Sequence, residues 1–154
     1  MEKLDSLNQV AEFHKTFNAP ILDTPQIPSK ERAALRVSLL QEELDELKKA
    51  IEDNDLVEVA DALCDLQYVL SGAVLEFGLG EKFVELFNEV HRSNMSKACD
   101  NEVQAQETVE FYKAKGTDAY YEKSGDKYNV HRVADNKVLK NKYYSAADIA
   151  SLLK

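Results

Sequence analysis

Apolar side chains recur along this chain first with a helical period and then, near its end, with the period of a strand. Leu4, Leu7, Val10 and Phe17, joined by Phe13 or His14, stand three or four residues apart and predict a first helix over about residues 3–18. All three prolines, Pro20, Pro25 and Pro28, then fall within nine residues, an extended connection that cannot be helical throughout. Ser29 is the predicted N-cap of a second helix reaching about residue 52, with Leu35, Leu39, Leu40, Leu44, Leu47 and Ile51 on its apolar side. Asp55 starts a third helix, whose apolar stripe is Leu56, Ala60, Leu63, Leu70, Val74 and Phe77 and whose end is marked by Gly78 and Gly80. A fourth, over about 81–98, carries Phe83, Leu86, Phe87 and Val90, and a fifth, over 102–115, stops at Gly116. Beyond it the period changes to two. Residues 119–123 and 127–133 flank Ser124-Gly125-Asp126 as a hairpin, Asp135-Asn136 offers a turn into a third strand at 138–140, and Ser145 caps a closing helix at 146–153.

The second and third helices are joined by only a few residues, so they should pack as an antiparallel hairpin. Each offers carboxylates at helical spacing: Glu42, Glu43 and Glu46 on one, Glu58, Asp61 and Asp65 on the other. Two acidic faces therefore meet. No Lys, Arg or His occurs between Ala50 and Glu81, and from Ala62 to Leu75 only Asp65 is charged. A helix apolar nearly all round is expected to be buried, and unpaired buried charges cost several kcal/mol. A cation is needed, and a metal ion is the economical one. Carboxylates without His or Cys select hard ions, hence Mg²⁺ or Mn²⁺ before zinc. A ferritin-like di-iron centre would need Glu-x-x-His pairs, and the chain has none. An EF-hand beginning at Asp53 would place Glu58 where that loop needs Gly. The plain alternative is a solvated face, for which EELDELKK is also ordinary wording.

Composition narrows the partners. The chain has 154 residues, 44% apolar and 31% charged, enough for one globular core. Its net charge of -9 argues against nucleic-acid backbones and anionic membranes, and against a phosphorylated metabolite unless divalent cations mediate. Two cysteines, Cys64 and Cys99, make neither a disulfide framework nor a zinc motif. The opening MEKLDSLNQV lacks the apolar core of a signal peptide and no apolar run reaches about 20 residues, so the expected location is cytoplasmic.

Two further clusters carry polar chemistry. His91, Asn94 and Lys97 are three residues apart near the end of the fourth helix, where polar donors suit phosphate or ribose and where a basic end also answers the helix dipole. Phe13, His14 and Phe17 could meet a nucleobase or simply belong to the core. The tail beyond Gly116, His131 included, shows no catalytic constellation, and packing or oligomerisation is its expected use.

The spacing Glu-Glu-x-x-Glu at Glu42, Glu43 and Glu46, an 11-residue gap, then Glu-x-x-Asp at Glu58 and Asp61, followed downstream by EVHRSNMSK, resembles the all-α nucleoside triphosphate pyrophosphohydrolases. The branch it is most similar to is the MazG-like, phosphoribosyl-ATP pyrophosphohydrolase-like one, related to the dimeric dUTPases. The resemblance covers about residues 4–100, and its gap is short for the family. It implies a mainly α protein with a MazG-like helical bundle over 1–100, to which the residue pattern itself adds 101–154 as a helix and a small antiparallel hairpin or three-stranded appendage of the same domain. It implies that Glu42, Glu43, Glu46, Glu58 and Asp61 hold Mg²⁺ ions on a triphosphate, with Mn²⁺ as a substitute. Glu42 or Glu43 would then serve as base and Asp65 would orient the ligands. Lys97 would meet phosphate, with Asn94 near the sugar or phosphate and His91 beside them. The implied reaction splits a nucleoside triphosphate into monophosphate and pyrophosphate, as in housecleaning of nucleotide pools. The expected assembly is a homodimer, with a tetramer as the alternative. The rival readings are a non-catalytic helical protein that binds Mg²⁺ or a basic partner, and an enzyme restricted to phosphoribosyl-ATP.

Overall fold

A computed structural model describes residues 4–154. Its elements are α1 (Ser6–Thr16), α2 (Lys30–Glu52), α3 (Leu56–Glu76), α4 (Phe83–Met95), α5 (Glu102–Ala114), β1 (Ala119–Ser124), β2 (Lys127–Arg132) and α6 (Ile149–Leu152). The protein is mainly α, and the chain divides into two compact units after Phe83.

In the first unit, local chemistry sets the helix starts. The Ser29 side chain accepts from the Arg32 N–H, and the Asp55 carboxylate accepts from Val57 and Glu58 N–H, so both long helices begin at capping residues. Between them Asp53 and Asn54 make the turn, with Asn54 left-handed at φ 54°, and α2 and α3 pack along each other. Helix α1 lies against α3, where Gln67 Nε2 donates to Ser6 Oγ at 3.3 Å and to Ser71 Oγ at 3.1 Å. The proline-rich connection lies against the α3 terminus, with Leu22 N bonded to Leu75 O and Gln26 N to Phe77 O, both at 3.0 Å. Gly78 is required there: its φ is +67°, and a Cβ would stand 1.9 Å from the Thr24 carbonyl oxygen.

The expectation of a wholly buried third helix is corrected. Only Ala62 and the segment from Ser71 to Glu76 are buried, while Leu56 is 79% and Leu63 52% exposed. Two neighbouring helices cannot surround a third, so α1 and α2 cover part of α3 and leave Leu56, Leu63 and Leu70 of its apolar stripe open. Glu58 and Asp61 are consequently exposed and Asp65 half-buried.

In the second unit, α5 packs on the antiparallel hairpin of β1 and β2, which pairs Ala119 with Arg132 and Ser124 with Lys127. Cys99, Ala105 and Val130 form its small core. The third strand does not form. Val138 makes one isolated bridge to His131, because Asn136 turns left-handed at φ 57° and the chain pairs with β2 only briefly. The closing helix is capped by Asp148 instead of Ser145, whose backbone is engaged in both directions by Ser96 Oγ. Helix α4 ends at Met95, short of its expected end, so Lys97 follows the helix instead of riding on it.

Candidate active site

The hairpin of α2 and α3 brings the two acidic groups together. Glu43 is half-buried on the face of α2 turned to α3, with Glu42 and Glu46 exposed beside it. Burial pushes the Glu43 carboxyl above its ordinary pKa, and the charges of Asp65, Glu46, Glu42 and Asp61, in that order, push it further. Carboxylates of both helices thus share one electrostatic neighbourhood around Glu43, with no cation in the balance. Near the turn, Glu46 and Glu58 line one cleft with Lys49, Ala50, Asp53 and Asp55. Lys49 does not neutralise it, since its ammonium is bound to Asp53 at 2.6 Å.

The donor chemistry fits a hard divalent cation: like charges gathered on two helices, all oxygen, with the pKa of one member raised by burial and by the others. As they stand, no three Asp, Glu, His or Cys side chains among the described residues have closed into a metal cage.

The other groups singled out in the sequence have these local settings. Lys97 Nζ donates to Asn94 Oδ1 at 2.7 Å, joining two of the three polar residues near the end of α4, while His91 on α4 is exposed. His14 is buried, its ring bonded through Nδ1 to the Pro20 carbonyl at 2.8 Å. Phe13 remains exposed, 4.4 Å from the Phe17 ring and 5.6 Å from Tyr68, centroid to centroid.

One polar group escaped the sequence reading. Glu76, fully buried at the end of α3, is held by Arg32 and Arg36 of α2; Arg32 Nε donates to Glu76 Oε2 at 3.0 Å, and Arg36 forms the second ion pair. Burial alone would raise the Glu76 pKa, but the hydrogen bonds and charges of the two arginines outweigh it and hold the carboxyl below the usual range. Arg36 and His14 crowd Gly72, where a Cβ would stand 2.7 Å from Arg36 Nη1 and 3.1 Å from His14 Nε2. The signal was present: Arg36 precedes Glu43 by seven residues, two helical turns, and so shares its α3-facing side. The hairpin does contain bases: Glu76 holds Arg32 and Arg36, while Lys48 and Lys49 pair with Glu52 and Asp53.

A sequence model of the phosphoribosyl-ATP pyrophosphohydrolase family matches residues 10–94, which include both acidic groups. A curated relative, an uncharacterized protein of Acanthamoeba polyphaga mimivirus, is 24% identical, with 99% of this chain and 97% of the relative aligned.

Proposed function

The chain belongs to the phosphoribosyl-ATP pyrophosphohydrolase family, within the MazG-like all-α superfamily of hydrolases of nucleotide phosphoanhydrides, and from that premise we propose its substrate, metal and site residues. It hydrolyses (deoxy)nucleoside triphosphates between the α and β phosphorus, releasing nucleoside monophosphate and pyrophosphate in the service of nucleotide-pool housecleaning. The observation that carries this reading is the cluster around Glu43, where carboxylates from both helices bear on one group.

Glu42, Glu43, Glu46, Glu58 and Asp61 would hold Mg²⁺, or Mn²⁺ in its place. The bound ion would supply Lewis acidity to the phosphate oxygens and lower the pKa of a coordinated water. Glu43, the half-buried member of the pair Glu42 and Glu43 and one whose pKa is raised, takes the proton of the attacking water. Asp65, whose charge acts on Glu43 more than any other does, orients it. Asn94, Lys97 and His91 bind substrate through hydrogen bonds and charge. The functional assembly is a homodimer, because Leu56, Leu63 and Leu70 of α3 and Leu44 and Ile51 of α2 stand open in a single chain and suit a second copy. A tetramer would require a further such face.

Glu43→Gln and Asp61→Asn test the site. Each should abolish Mg²⁺-dependent turnover while circular dichroism and melting temperature stay near wild type; full activity in both variants would overturn the assignment. Phosphoribosyl-ATP is the rival substrate, favoured by the description of the matching family. Turnover of phosphoribosyl-ATP alone, with nucleoside triphosphates untouched, would select it.

A further inference from the structure

The segment after β2, whose expected use is packing or oligomerisation, is tied to the end of α4. Asn141 is buried; its N–H donates to the Lys97 carbonyl at 3.0 Å and its amide Nδ2 to the Ala98 carbonyl at 3.1 Å. Ser145 N donates to Ser96 Oγ at 3.0 Å, and the hydroxyls of Tyr144 and Ser93 are hydrogen-bonded at 3.0 Å. These bonds place Lys140 and Tyr144 beside Lys97. Lys140 Nζ stands 4.3 Å from the centre of the Tyr144 ring.

The result is a local excess of positive charge in a chain of net charge -9. The Tyr144 hydroxyl has its pKa lowered first by the bond to Ser93 and then by the charges of Lys140, Lys97 and Arg92. Of these cations Arg92 is already paired, to Glu89 at 2.7 Å. Lys97 and Lys140 have no carboxylate partner among the described residues; one is bonded to the neutral Asn94 side chain and the other rests on a neutral ring. Two ammonium groups without a carboxylate partner, with the Tyr144 hydroxyl and the Asn94 amide near them, supply donors for several oxygens of one anion. The tie through Asn141 fixes the main chain at Lys140 against that at Lys97, which reduces the backbone entropy lost when both lysines are engaged.

We propose that Lys97, Lys140 and Tyr144, the last held by buried Ser93, form an anion site that takes a polyphosphate chain. This deepens the proposed function, on which it rests for the identity of its ligand: the polyphosphate is either the tail of the nucleotide or the pyrophosphate released from it. A polyphosphate is preferred over a monophosphate because two separate lysines serve two phosphoryl groups better than one.

Isothermal titration of the full-length protein with inorganic tripolyphosphate, in buffer free of divalent metal, tests the site apart from catalysis. Wild type should bind with an affinity that falls as salt rises. Lys97→Gln and Lys140→Gln should each weaken binding at least ten-fold, Lys140→Arg should retain most of it, and Lys115→Gln, which removes a lysine resting on a ring elsewhere, should change nothing. No binding by wild type, or equal binding by wild type and Lys140→Gln, would overturn the proposal. Competition separates the two sources: displacement by a nonhydrolysable nucleoside triphosphate and not by pyrophosphate identifies the nucleotide tail, and the reverse identifies the product. Parallel assays keep the two proposals distinguishable. Wild type that hydrolyses nucleoside triphosphates while Lys140→Gln binds tripolyphosphate normally loses only this site; wild type that hydrolyses none, with Lys140→Gln still deficient in tripolyphosphate binding, loses only the proposed reaction.

Discussion

Glu43 of α2 and Asp65 of α3 face each other across the helical hairpin, and of all charges near Glu43 that of Asp65 raises its pKa most, after burial itself. A carboxyl whose pKa is raised on folding contributes stability that is complete below its unfolded value, about 4.3, and is lost as pH rises through the folded one. In metal-free protein Glu43→Gln should therefore raise the melting temperature at pH 7, by about 2 °C for a gain under ~1 kcal/mol, and do nothing at pH 3. Thermal scans at both pH values check this. Added Mg²⁺ should stabilise wild type more than the variant, since one ligand is gone.

Glu76 has the opposite sign. Its folded pKa is depressed, so its pairing with Arg32 and Arg36 stabilises the protein above the unfolded carboxyl value and is lost as pH falls through the lower folded one. Arg36→Ala leaves a fully buried carboxylate with one partner and should cost about 3–5 kcal/mol by urea denaturation at pH 7. The penalty should shrink as acid neutralises Glu76. A variant as stable as wild type at pH 7 would show that the pair contributes nothing.

Gly72 is fixed by the same group. Its missing Cβ leaves the space taken by Arg36 Nη1 and His14 Nε2, and Arg36 cannot retreat without leaving Glu76. Gly72→Ala should destabilise by about 1–3 kcal/mol despite the better helix propensity of alanine. Denaturation of Gly72→Ala beside Arg36→Ala and the double variant would give non-additive losses if the contact is direct.

What the sequence revealed follows the range of the forces involved. Ser29 and Asp55 were legible as helix starts because a cap acts within three residues, and Gly125 as a hairpin because its turn is local. The meeting of the two acidic groups was legible because a short turn leaves antiparallel packing as the simple outcome. Arg36 and Glu76 are 40 residues apart; helical spacing from Glu43 puts Arg36 on the side facing α3, but which α3 residue it meets depends on how the two helices pack, which a one-dimensional pattern does not encode. The burial expected for α3 failed for a related reason: composition says that a face is apolar, and does not say whether the covering surface lies in the same chain. Leu63 and Leu56 carry that lesson.

That open stripe gives its own expectation. Light scattering coupled to size exclusion should return twice the monomer mass at micromolar concentration. Leu63→Asp, which puts a charge in the middle of the exposed stripe, should shift the protein toward monomer without unfolding it. A wild-type monomer under these conditions would remove the homodimer from the account.

The most direct measurement is to incubate the purified protein with Mg²⁺ and a panel of nucleoside triphosphates, dUTP and dCTP included, and to separate pyrophosphate from orthophosphate among the products. Equal amounts of nucleoside monophosphate and pyrophosphate, lost on adding EDTA, are the expected result. Orthophosphate with nucleoside diphosphate would place the cleavage at another phosphorus and contradict the proposed reaction.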